Sequence, residues 1–296
     1  MTRPAAVPVA LSRGPFTRAQ ALELISPDVL RGPSYQRLSR GVHRRAAGEL
    51  THLDRILAAR LVLPSDAVLA GRSALWAHGV ELATASTPAE VILTPASKAR
   101  NRSHLHIRRA TLGPREIVML GLGPTTTAAR TAFDLARSGA PFDVVPLLDA
   151  LVRTTGVTRA QVLAVRDAHP GARWLRRVHP ALDLVDPRAE SVRESQLRVA
   201  CIGYGLPHPV PQHVIRTADG GFVARVDLAW PELAVALEYE GGYHDERGQV
   251  ARDRARANAI RRAGWTLLAV DAAQFARRDE TLAMIRSVLL TAGLSG

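Results

Sequence analysis

The chain has 296 residues, length for about two domains, or three if the first is small. With 47% hydrophobic and 22% charged residues the balance is that of a globular protein, which excludes a disordered chain, and no apolar run approaches the ~18–20 residues of a membrane span. The N-terminal residues hold no long apolar segment of the secretory-signal kind, and a lone cysteine, Cys201, excludes internal disulfides and multi-cysteine zinc sites; a soluble, cytoplasmic protein is expected.

Basic residues number 39 against 27 acidic, for a net charge of +12. Lys98 is the single lysine, so the excess is arginine, and a GC-rich codon preference would account for the total. It does not account for the distribution. Residues 1–187 carry 25 basic and 14 acidic side chains, whereas 188–296 carry 14 and 13. Within residues 1–47, eight Arg face only Glu23 and Asp28. A polyanion-binding front end is expected.

In chain order, residues 1–47 read as two short helices and a hairpin. Thr17 and Gln20 have capping-box spacing, and Ser26-Pro27 restarts a helix that Gly32-Pro33 ends. Residues 35–38 and 42–45 flank Ser39-Arg40-Gly41 as a short hairpin. Helix, turn, helix and an Arg-rich hairpin is the order of a winged helix-turn-helix. Arg31 would lie near its recognition helix, and Arg37, Arg40, Arg44 and Arg45 would form an exposed DNA-binding wing. Residues 48–186 form an α+β middle region. Helices are predicted over 50–63, 73–79, 128–137, 142–153, 159–168 and 172–184, with strands over 90–93, 105–108 and 117–120. His104 and His106 stand at strand spacing, either a metal pair or, among Arg102, Arg108 and Arg109, a solvated basic face.

Residues 187–296 read as helix (191–202), three strands (212–216, 222–228, 233–239), helix (248–263), strand (265–270) and helix (280–290), a compact α/β domain. Asp227 and Glu238 each sit in an apolar strand, where an unpaired carboxylate is costly. If the two strands form a hairpin, both acids project from one face and make a hard-oxygen site suited to Mg²⁺, with Mn²⁺ as a substitute. Glu194 on the preceding helix either joins them or only caps its own helix through Ser191.

The stretches Glu194-Ser195-Gln196-Leu197-Arg198, Asp227-Leu228-Ala229-Trp230-Pro231-Glu232 and Leu237-Glu238-Tyr239-Glu240-Gly241-Gly242-Tyr243-His244, then Arg252-Asp253-Arg254-Ala255-Arg256 and Gly264-Trp265, fall in order over 188–291. In this pattern the domain resembles the domain-of-unknown-function (DUF) 559 group related to very-short-patch-repair (Vsr-like) endonucleases, within the PD-(D/E)XK nuclease superfamily. Residues 16–41 and Ala70-Gly71-Arg72-Ser73-Ala74 are more loosely similar to abortive-infection (type IV) antitoxins, whose winged-helix domain often precedes such a nuclease-like domain in actinobacterial proteins.

The resemblance implies that Asp227 is the metal-binding aspartate, that Glu238 opens the E-x-K element and that Glu194 is the acid of the helix before the sheet. Glu240 stands where the superfamily has lysine, and residues 188–296 contain no lysine at all. An arginine is a poor substitute as base, since it keeps its proton. His244 either supplies the base or is a loop histidine held by Asp245 or Glu246. Asp253 either orients His244 or joins a helix-surface ladder with Arg252, Arg254 and Arg256. The expected function is a Mg²⁺-dependent endonuclease acting on double-stranded DNA, with no membrane and no small-molecule cofactor. A non-catalytic, antitoxin-like regulator is the other reading, and a homodimer or a toxin partner is left open.

Overall fold

The computed structural model describes residues 7–241 and 247–295. The chain divides into two compact units, Met1–Asp134 with Thr154–His169, and Leu135–Arg153 with Pro170–Gly296.

The first unit opens with β1 (Phe16–Thr17), α1 (Arg18–Leu22), α2 (Pro27–Arg31), β2 (Tyr35–Ser39) and β3 (Val42–Arg45), the strands pairing in the order β1-β3-β2. Local chemistry accounts for each boundary. Thr17 Oγ1 accepts the Gln20 amide at 3.2 Å while Gln20 Oε1 accepts the Thr17 amide at 2.8 Å, a complete capping box. Ser26 caps α2 and Pro27 occupies its first turn. Gly41, with φ of 80°, supplies the left-handed residue that the β2–β3 turn requires. Leu11, Phe16, Ala21, Leu30 and Tyr35 form the core beneath.

Next come α3 (His52–Arg60), β4 (Val68–Leu69), α4 (Gly71–Ala77), β5 (Ala89–Leu93), β6 (Leu105–Arg109), β7 (Ile117–Leu120) and β8 (Gly123–Thr126). The strands form a mixed sheet in the order β6-β5-β4-β8-β7. The sequence patterning misses β4, which is only two residues long, and β8, whose Gly123-Pro124 start reads as a turn. The helices α5 (Ala128–Ala136) and α7 (Arg159–Ala168) follow in this unit, while α6 (Pro141–Thr155), between them in the chain, belongs mostly to the second. Arg130, 3% exposed, donates to Glu116 at 2.6 Å and to Asp134 at 3.1 Å, so the buried charge is doubly compensated.

In the second unit the predicted helix over 172–184 is instead a 3₁₀ turn (Leu175–Arg177) running into α8 (Val178–Asp183), because Trp174 takes a left-handed backbone that no α-helix can contain. Then come α9 (Val192–Gly203), β9 (Val210–Arg216), β10 (Phe222–Trp230), β11 (Val235–Glu240), α10 (Arg247–Arg262), β12 (Thr266–Asp271), α11 (Ala272–Ala276) and α12 (Arg278–Thr291). The sheet order is β12-β11-β10-β9, with β9, β10 and β11 antiparallel and β12 parallel to β11.

Both faces of this sheet are covered. Leu228, Trp230, Val235 and Leu237 pack with Leu197 and Cys201 of α9 and with Leu282, Ile285 and Leu289 of α12. Ala224, Val226, Ala229 and Ala236 pack with Ile260 of α10. Cover on two sides explains why β11 reads as a continuous apolar run rather than an alternating one. A buried ion pair ties α6 to α9, with Arg198 Nη2 at 2.7 Å from Asp149 Oδ2 and neither side chain more than 5% exposed. The Asp186 amide donates to the other Asp149 oxygen at 2.8 Å. Thus α9 is held in place behind the sheet. Among the described residues no helix is long and apolar enough to cross a membrane.

Candidate functional site

Asp227 and Glu238 face one another where β10 and β11 separate. The β10–β11 ladder pairs Trp230 with Val235, Ala229 with Ala236 and Leu228 with Leu237, which sets Asp227 opposite Glu238 one step further on. There the ladder stops. Asp227 Oδ2 accepts the Tyr239 amide at 2.9 Å, so a side-chain carboxylate occupies the place of a backbone acceptor.

The strand also changes face at this point. Val226 and Leu228, two residues apart, belong to different cores, although a regular strand would put them on one side. Across from Asp227 in the β9 register stands Gln212, whose φ of 53° interrupts the pleat while the pairing continues on either side of it. The Gln212 side chain is part of the cluster, its Nε2 donating to Glu194 Oε2 at 2.7 Å. No motif in the sequence marks Gln212, because a left-handed residue in a strand is a property of the folded backbone.

Glu194, 7% exposed, sits in the first turn of α9. Its amide is capped by Ser191 Oγ at 3.1 Å, but its carboxylate does not close a capping box; it accepts the Glu190 amide at 3.0 Å and the Gln212 side chain. Glu238 is gripped by Arg256 of α10, which donates from Nη1 to Oε2 at 2.7 Å and from Nη2 to Oε1, while Nη2 also reaches the Arg225 carbonyl at 2.7 Å. Arg225 itself forks onto Glu190 at 3.0 and 2.9 Å.

The electrostatics follow from this arrangement. Burial pushes the Asp227 carboxyl up to about 6, against the opposing pull of the Tyr239 amide; Glu194 and Glu238 raise it further and Arg256 lowers it. Among the described residues, Arg256 is the guanidinium bonded to Glu238, and it acts on Asp227 at longer range. Asp227 and Glu238 are hard oxygen donors of the number that Mg²⁺ takes from a protein. Among the described residues no group of three or more His, Cys, Asp or Glu side chains is disposed to hold a metal ion. A cation would therefore rest on the Asp227–Glu238 pair, and Arg256 would have to release Glu238 oxygens to it.

The other predicted residues fall as follows. Glu240 is exposed at the end of β11, in register with Asp271 of β12. His244 and the side chain of Asp253 lie outside the described residues. Arg37, Arg40 and Arg45 are exposed on the β2–β3 hairpin, with Arg37 Nε donating to the Ser39 carbonyl at 3.2 Å. Arg31 is exposed and paired with Asp28. Arg44 does not join this ridge. It is 6% exposed and donates to Asp54 at 2.9 Å and to the carbonyls of Glu49, at 3.0 Å, and Gly48, which ties β3 to the start of α3. Alternation along a two-residue-period strand turns Arg44 inward when Arg45 faces out. His104 is buried and His106 exposed.

No family model matches the chain. It is 31% identical over 228 residues to two proteins of Mycobacterium tuberculosis, uncharacterized protein MT2308 (strain CDC 1551 / Oshkosh) and uncharacterized protein Rv2248 (strain ATCC 25618 / H37Rv); the match covers 76% of this chain and 82% of each relative. Among solved structures, the RV2827C protein from Mycobacterium tuberculosis aligns over 57% of this chain and 71% of its own length, with a TM-score of 0.41 and 17% identity.

Proposed function

The chain belongs to the family of the Mycobacterium tuberculosis proteins Rv2248 and MT2308, and we propose for it a metal-dependent endonuclease activity on duplex DNA. The observation that carries this reading is Asp227 opposite Glu238 on adjacent strands, with buried Glu194 near enough to raise the Asp227 carboxyl further. A carboxylate raised to about 6 by burial and by its acidic neighbours is relieved by a cation. The helix–three strands–helix–strand order and the mixed sheet support a restriction-endonuclease-like domain, and the β1-α1-α2-β2-β3 order supports a winged helix at the front.

Asp227 and Glu238 would hold the ion, with Mg²⁺ or Mn²⁺ as candidates. When bound, it acidifies a water and neutralises charge on a phosphoryl oxygen. The Tyr239 amide fixes the Asp227 carboxylate in place, and Gln212 holds Glu194 against the pair. Arg256, freed from Glu238, would be available to a phosphate oxygen. Arg37, Arg40 and Arg45 would take the duplex backbone.

Incubation of plasmid DNA with the protein, with Mg²⁺ or Mn²⁺ and then with EDTA, tests the proposal. Cleavage with metal, loss with EDTA and a fall of about a thousandfold or more in Asp227→Asn support it. The second reading, a non-catalytic DNA-binding regulator, is favoured by Arg256 holding both oxygens of Glu238 and by Glu240 in the lysine position. DNA binding without cleavage by either ion, and no difference in metal binding between wild type and Asp227→Asn, would establish it instead.

A further inference from the structure

Away from the acid cluster, the second unit carries a feature that neither reading uses. Trp174 is 61% exposed and takes φ of 66° and ψ of 23°. A left-handed backbone is strained for an L-residue, and a bulky side chain there is an outlier. Glycine would fill the same turn without strain. The ring is nevertheless present, and it is ordered. The Arg177 guanidinium lies 4.4 Å from its centroid, the Arg177 amide donates to the Trp174 carbonyl at 3.0 Å, and Arg137 Nη1 donates to the Arg173 carbonyl at 3.4 Å. Immediately beyond, Val178 and Ala181 are buried, so the turn stands on a fixed base.

The turn itself is basic. Residues 170–182 include Arg173, Arg176 and Arg177, and Asp183 follows at the end of α8. All three arginines are exposed, and among the described residues none has a carboxylate partner. A flat π-surface, backed on one side by the Arg177 guanidinium and flanked in the chain by the exposed Arg173 and Arg176, is complementary to an unstacked base with its flanking phosphates. Bases inside a duplex are already stacked and present only their edges, so the ring has no partner there.

We propose that residues 173–177 form a stacking platform for single-stranded DNA, Trp174 taking one base and Arg173, Arg176 and Arg177 its phosphates. The proposal rests on the nucleic-acid reading only for its choice of DNA, and it does not require cleavage. It assigns the second unit a contact with an unpaired nucleotide, separate from the Arg37–Arg40–Arg45 ridge of the first.

The test uses the full chain in EDTA, so that no metal-dependent step contributes. Trp174 is the most exposed of the four tryptophans, Trp230 being 3% exposed and Trp76 and Trp265 half-buried. An oligothymidylate of about 12 nucleotides should quench the protein's fluorescence, and Trp174→Phe should abolish most of the quenching while keeping affinity within about threefold. Trp174→Gly, which accepts the backbone angles without strain, should fold as well as wild type. It should bind a labelled oligothymidylate about 5- to 150-fold more weakly, as expected for the loss of one base stack. Arg176→Ala with Arg177→Ala should lower the log–log salt slope by about 0.7 per lost contact. Unchanged affinity in Trp174→Gly overturns the proposal. So does quenching by phosphatidylserine vesicles without quenching by the oligonucleotide, which would make the turn a membrane contact. Failure of the nuclease reading registers separately, as intact plasmid in the presence of metal.

Discussion

Asp227→Asn should stabilise the metal-free protein, and the size of the effect should depend on pH. The Asp227 carboxyl is raised from 3.8 to about 6, so the folded state retains a proton that the unfolded chain has already released. Stability contributed by this group therefore falls as pH rises: the penalty is absent below about 3.8, grows up to about 6 and is constant above. A shift of about two units corresponds to about 3 kcal/mol, and partial solvation of the half-buried carboxyl reduces this to about 1–2 kcal/mol. Asparagine keeps an oxygen for the Tyr239 amide and places no charge beside Glu194 and Glu238. In EDTA at pH 7.5 the melting temperature of the second unit should rise by about 3–6 °C. At pH 4.5 the gain should shrink to about a third. Scanning calorimetry at the two pH values is the assay. A variant that melts below wild type at pH 7.5, or whose gain is the same at both pH values, would refute the account of Asp227 as an electrostatically burdened group.

Three further outcomes are expected. Asp149→Ala leaves the Arg198 guanidinium buried without its carboxylate and should cost about 3–5 kcal/mol in urea unfolding; a loss below 1 kcal/mol would contradict the assigned ion pair. Arg44→Ala should destabilise by about 2–3 kcal/mol and leave the salt slope of duplex binding unchanged, whereas Arg37→Ala with Arg40→Ala should flatten that slope by about one per lost phosphate contact. At position 212, Gly and Ala both lose the amide bond to Glu194, but only Gly adopts φ of 53° freely; Gln212→Gly should therefore be about 1 kcal/mol more stable than Gln212→Ala by denaturant titration.

What the sequence determines by itself is local or periodic. Thr17 and Gln20, Ser26 and Pro27, and Gly41 place the first two helices and their hairpin because caps and turns are satisfied within a few residues. The apolar runs of β10 and β11, with one acid in each, mark Asp227 and Glu238 because an ionisable group in such a strand demands a partner. What only the tertiary structure decides is where long-range geometry sets the partner. Arg44 and Arg45 are adjacent arginines in the sequence, yet one is a buried anchor for α3 and the other faces solvent, since the strand's pleat and the position of Asp54 separate them. Gln212 enters the site through a backbone angle, and Arg256 through the packing of α10 under Ala229 and Ala236. Trp174 reads as a helix residue until its left-handed turn sets it in solvent. Residue type limits what a side chain does; its neighbours across the fold select among those uses, because burial and partner distance set the free energy of a charge.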